Sequence, residues 1–134
     1  RVTARVARAR RAPSPRRGFE MGQATARVLR DSPWRVVIMA SSSWSHGFLT
    51  EKNHWMYPDL DADRALLEQL RSNNYAAWRD VPLAQMEDAG QHEVLNWTCL
   101  AGAMHELDYR SEILDWVETW TFNASKCMAV FRPS

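Results

Sequence analysis

The chain predicts an α/β fold, a sheet flanked by helices with a β-hairpin at the carboxyl end. Three observations carry that expectation. Residues 34–40, Trp-Arg-Val-Val-Ile-Met-Ala, are a near-continuous apolar run of strand length, the pattern of a strand covered on both faces. Glu93, Trp97, Leu100 and Met104 recur at i, i+4, i+7 and i+11, which is one face of a helix. Residues 113–122 alternate in character and are followed by Asn123-Ala124-Ser125, a turn sequence, and by a second strand-forming run over 126–131.

With 134 residues, 46% of them hydrophobic, one domain with a modest core is expected rather than two. No run of about 18 apolar residues occurs, so no membrane-spanning helix is expected. The net charge of +1 conceals an asymmetry. Residues 1–30 hold nine Arg against the single acid Glu20 (+8), and the remainder holds eight Lys or Arg against fifteen Asp or Glu (−7). This division predicts a basic arm over residues 1–17, too poor in large apolar groups to offset chain entropy and therefore disordered. An acidic body over residues 18–134 follows it. Two cysteines, Cys99 and Cys127, are too few for a disulfide framework, and a reduced, cytoplasmic setting is expected. The first residue is Arg rather than Met, so the true start is expected to lie upstream.

Taken in order, a helix is expected over residues 19–30, with Phe19, Met21, Ala26, Val28 and Leu29 on an imperfect apolar face. Asp31-Ser32-Pro33 ends it, because proline disfavours helical geometry in the residue before it. After the 34–40 strand, residues 41–58 form a long loop holding Trp44, His46, Phe48, His54, Trp55 and Tyr57, and so many aromatics predict a pocket wall. Asp59 is the expected N-cap of the next helix, with Asp61 and Asp63 favourable against its dipole. Leu60, Leu66, Leu67 and Leu70 form its buried stripe. Residues 75–79 add a short helical turn, and Pro82 suits the first position of a segment reaching Ala89. Gly90 then precedes a helix over 91–107.

Two titratable positions stand out. His46 lies in Ser41-Ser42-Ser43-Trp44-Ser45-His46-Gly47, just past the expected strand, at the sheet edge where open α/β folds keep their chemistry. Histidine is the side chain that most often exchanges protons near neutral pH. The plainer alternative is a loop histidine bonded to backbone. Glu93 shares a face with Trp97, Leu100 and Met104, so it is expected to be drawn inward, where a carboxylate needs a cation or hydrogen-bond donors. By position alone, an acid stabilised by the helix dipole is the commoner arrangement. His92 neighbours Glu93 but points elsewhere on the helix, His105 is expected at the surface, and His54 is the best further pocket candidate. Asp59-Leu60-Asp61-Ala62-Asp63 opens like a calcium loop, yet Arg64 stands where Gly is needed and Leu70 where Glu is needed. Phosphate-cradling glycine loops, Cys-rich zinc patterns and nucleophile elbows are absent.

These segments resemble the carboxyl-terminal half of the class III extradiol ring-cleavage dioxygenases. That family includes the catalytic (beta) subunit of protocatechuate 4,5-dioxygenase. The likeness runs from about Pro15 to Pro133 and is strongest over residues 41–63 and in Glu93-x-x-x-Trp97-x-x-x-x-Gly102-Ala103. It implies that His46 is the acid–base residue, that Glu93 is an iron ligand, and that Ser45 and His54 line the substrate site. Fe(II), O2 and a catechol-type aromatic substrate are implied with it, in a homo- or hetero-oligomer.

Such iron is held by two histidines and one carboxylate, leaving positions open for substrate and oxygen. The family's histidine ligands come from the amino-terminal half, which has no counterpart here, so a fragment lacking them, inactive alone, is expected. Rearrangement of His54 into a ligand is a lesser option. Two other readings remain open. One is a non-catalytic homologue acting as a structural or regulatory subunit. The other is a nucleic-acid binder working through the basic arm, which the acidic body disfavours.

Overall fold

The structure is a computed structural model that describes residues 13–119 and 121–134. Most of the expected basic arm, residues 1–12, lies outside the described residues. Of its described residues, 15–17 are helical: α1 (Pro15–Arg30) begins before residue 19. Ser14 supplies the reason, since its Oγ accepts from Arg17 N at 3.2 Å and Pro15 occupies the first helical turn, where its missing N–H costs nothing.

The expected strand over residues 34–40 does not form. These residues belong to no helix or strand, and Trp34, Val37 and Met39 are 78%, 82% and 83% exposed. An apolar run has the side chains of a buried strand, but a strand exists only when a neighbour pairs with its backbone. None of the described residues does so here. Only Ile38 and Ala40 pack partly against the core.

Two turns of 3-10 helix (Gly47–Leu49 and Glu51–Asn53) follow, then α2 (Leu60–Arg71), capped by the Asp59 carboxylate, which accepts from Ala62 N at 3.2 Å. Leu66, Leu67 and Leu70 are its buried face. Short helices α3 (Tyr75–Asp80) and α4 (Leu83–Asp88) lead to α5 (Val94–Leu107), and Asp108 in a left-handed conformation turns the chain into the hairpin. The helix α5 begins later than residue 91, with Glu93 as its N-cap residue.

Strands β1 (Tyr109–Val117) and β2 (Lys126–Pro133) pair antiparallel, Tyr109 opposite Pro133 and Val117 opposite Lys126. The hairpin is therefore as expected, but β1 starts before residue 113 and ends before residue 122. A register shift between Ile113 and Asp115 leaves Leu114 as a bulge and turns it outward. The fold is thus α/β, with helices flanking a two-stranded antiparallel sheet.

The core has two centres. Where α1 crosses α5, a Cβ added at Gly22 would lie 1.8 Å from Cys99 O, and one at Gly102 would lie 2.0 Å from Phe19 O. Only glycines let these two backbones approach so closely. The second centre is Trp44, fully buried, whose ring meets those of Trp78 and Trp97 at 5.6 Å and that of Trp116 at 4.9 Å, all edge to face. Pairs of this geometry contribute about 1 kcal/mol each beyond area burial. Trp44 is therefore core and not pocket wall, and it anchors the chain two residues before His46. Among the described residues, no helix is long and apolar enough to cross a membrane.

Candidate functional site

Hydrogen bonds join the segment on either side of Trp44 to the residues that lead into α5. Ser45 Oγ donates to Ala89 O, His46 N donates to Gly90 O at 3.1 Å, and Ser42 Oγ donates to Glu93 O at 3.0 Å. Gly90 sits at the joint with φ +68°, and a Cβ there would lie 2.6 Å from Thr50 Oγ1 and 2.7 Å from His46 O. Backbone conformation and space both demand glycine.

This joint brings His46 Nε2 to 3.8 Å from Glu93 Oε2. The imidazole is 12% exposed and the carboxylate 54%. Glu93 is therefore not drawn inward as its helical spacing suggests. It occupies the N-cap position, makes no side-chain cap hydrogen bond, and leans instead toward His46. His46 is fixed on its other side, where its carbonyl accepts from Thr50 Oγ1 at 2.7 Å and from Leu49 N at 3.0 Å. Behind it the hairpin turn supports the loop, with Gly47 N donating to Asn123 O at 2.9 Å. The Phe48 ring, largely exposed, stands edge-on at 5.0 Å from the imidazole. His46 Nδ1 is buried without a hydrogen-bond partner. The nitrogen that faces the carboxylate is Nε2.

Ser45 is turned into the fold. It is fully buried, and its hydroxyl is used twice, donating to Ala89 O and accepting from Asp59 N at 2.7 Å. His54 ends the second 3-10 turn in a left-handed conformation and is exposed. Lys52, the one basic residue of the 41–58 loop, is held by Asp59 at 2.5 Å and Asp88 at 3.1 Å. Its ammonium is raised above the ordinary range, chiefly by the bond to Asp59, and is committed to bracing the loop.

Sequence reading missed three residues that build the site, namely Gly90, Gln91 and Asp63. Asp63 looks like an ordinary acid of a helix first turn, but it is fully buried. Its carboxylate accepts from Gln91 Nε2 at 2.7 Å and from Ser45 N at 3.1 Å. Burial pushes its carboxyl up to about 6, against the lowering effect of the Gln91 and Ser45 donors.

A non-haem iron centre needs three protein donors on one side of the metal. Among the described residues, no group of three His, Cys, Asp or Glu side chains is placed to hold a metal ion, so His54 does not complete a set with His46 and Glu93. The described residues alone do not fit a complete iron site.

A family model described as the catalytic LigB subunit of aromatic ring-opening dioxygenase matches residues 5–126. No curated protein and no solved structure matches the chain.

Proposed function

Because the chain belongs to the family of catalytic LigB subunits of aromatic ring-opening dioxygenases, we propose that His46 and Glu93 form part of a class III extradiol centre. In this reading a catechol-type ring is opened beside its two hydroxyls with Fe(II) and O2, as the likeness to the protocatechuate 4,5-dioxygenase catalytic subunit suggests. The observation that carries the proposal is the 3.8 Å approach of the two side chains, from distant parts of the chain, at a half-open edge.

In this reading His46 Nε2 would take a proton from a catechol hydroxyl, and the Glu93 carboxylate beside it would be one of the residues that hold the metal, which would supply the site for the substrate oxygens and O2. The two histidine ligands lie outside the described residues. Two observations support this. The donor set is incomplete among the described residues. The run at 34–40, which leads into the site, is uncovered and borders a groove of about 800 Å³ between Leu100, Met104 and the β2 strand. A face of that kind is normally covered, which favours an oligomer or a larger catalytic unit. Exposed His54 is left to substrate contact. Cys99 and Cys127 are both free, in keeping with a reducing, cytoplasmic setting.

The incomplete donor set also favours a second reading, a non-catalytic homologue paired with a catalytic chain. Anaerobic titration of the purified chain with ferrous ion tests both. No tight stoichiometric site and no turnover of catechol are expected. Tight stoichiometric iron with ring opening by this chain alone would refute the incomplete centre. Co-purification with a stoichiometric partner that supplies all three ligands would favour the second reading.

A further inference from the structure

We propose that Asp63 is a positioning residue, a buried brace that fixes the segment carrying His46 against the segment carrying Glu93. The inference rests on the reading of that pair as the reacting site, and it adds a residue that touches neither of them. The carboxylate comes from a third element, α2, and reaches both sides of the joint. It accepts from Ser45 N at 3.1 Å on Oδ1 and 3.3 Å on Oδ2, and from Gln91 Nε2 at 2.7 Å on Oδ1. Ser45 immediately precedes His46, and Gln91 stands two residues before Glu93. Gln91 is itself 2% exposed, so both arms of the brace are shielded from competing water.

The bonds from Ser45 Oγ to Ala89 O and from His46 N to Gly90 O tie the same segments together at residues 89 and 90, and Ser42 Oγ reaches Glu93 O at 3.0 Å. Asp63 holds Gln91, between these ties, from which the chain turns into α5, and it does so through a buried side chain that also holds Ser45, so that it helps set how the helix presents Glu93. Its neighbour on the same helix turn shows what an acid without such a task does: the Asp61 side chain is 95% exposed. A carboxylate is costly to bury unless donors surround it, and a fully bonded network of this kind specifies one geometry.

Nitrogen NMR of the His46 imidazole, on the metal-free chain at one fixed pH, tests the proposal. In the wild type, Glu93→Gln replaces a carboxylate 3.8 Å from Nε2 with a neutral amide and is expected to shift the Nε2 resonance. In the Asp63→Asn and Gln91→Met backgrounds that shift is expected to be lost. Tyr75→Phe removes a buried hydroxyl bonded to Tyr109 O at 2.9 Å, outside the site, and is expected to leave the shift at wild-type size. That control separates positioning from a general loss of stability. A wild-type shift retained in both braced-residue variants overturns the proposal, as does its absence from the wild type. If Asp63→Asn does not fold, Gln91→Met, which keeps the volume and removes the donor, decides alone. The readout needs neither metal nor substrate. Absence of ring-opening activity from the complete wild-type enzyme would therefore overturn the functional reading and leave the brace standing.

Discussion

His46 and Glu93 face each other at 3.8 Å, Nε2 to Oε2, because the backbone on either side is pinned and not because either side chain seeks the other. The pins are Gly90, which no larger residue could replace at φ +68° against Thr50 and His46, and the Ser45 hydroxyl bound to Ala89 O. Beneath them lies Trp44 in its nest of three tryptophans. Tight aromatic packing thus lies under the loop that carries the imidazole, while the carboxylate stays half open.

Asp63 gives stability a distinctive pH dependence. Its carboxyl is raised from 3.8 to about 6 in the folded chain, chiefly by burial. The folded state then holds this proton more tightly than the unfolded state. The contribution is full below the unfolded value and is lost as pH rises through the folded one. A shift of this size corresponds to about 3 kcal/mol. In urea unfolding, Asp63→Asn is expected to gain up to that amount on the wild type between about pH 4 and about pH 7. A constant difference between the two proteins across that window would contradict the assignment.

The α1–α5 crossing separates three glycines that look alike in the sequence. Gly22→Ala and Gly102→Ala place a Cβ against backbone at 1.8 Å and 2.0 Å, and backbone cannot move aside cheaply. Each is expected to cost about 1–3 kcal/mol or more, read as a lowered thermal midpoint. At Gly18 the nearest atom is Leu95 O at 3.7 Å, an ordinary contact. Gly18→Ala is expected to be neutral or to raise the midpoint, because alanine favours the helix by up to about 1 kcal/mol.

The uncovered 34–40 run predicts association. Val37 and Met39 are both more than four-fifths exposed, so the chain by itself is expected to self-associate through this face. The double variant Val37→Lys, Met39→Lys is expected to shift light-scattering mass toward the monomer. An unchanged mass distribution would place the association elsewhere.

Local signals in the sequence located most helices, because they are carried by a few residues. Asp59 caps α2 as its side chain and position indicate, Asp31-Ser32-Pro33 ends α1, and Asn123 turns the hairpin with φ +51°. The start of α1 was misplaced because Ser14-Pro15 was read as part of a charged arm. The 34–40 strand failed for a different reason: periodicity reports which faces are apolar but not whether a pairing neighbour exists. At the site, the strand expected before His46 does not form and Glu93 is not drawn inward, so neither expected setting holds, and Asp63 carried no local signal at all. An acid four residues past an N-cap looks the same whether it faces solvent or the core, and its partners, Ser45 and Gln91, come from elsewhere in the chain. Ser45 is ambiguous likewise, since a hydroxyl beside a histidine serves scaffold and ligand equally well until its partners are seen.

The measurement that bears most directly on the proposed centre is metal content with catechol-dependent oxygen uptake, made on the complete ring-opening enzyme. Three proteins are compared: wild type, Glu93→Gln and His46→Gln. Loss of a carboxylate ligand is expected to strip the metal and with it the activity. Loss of the imidazole is expected to leave the metal in place and lower turnover by about 10²–10⁴-fold, the usual contribution of a positioned acid–base group. Wild-type metal content and oxygen uptake in both variants would contradict the account.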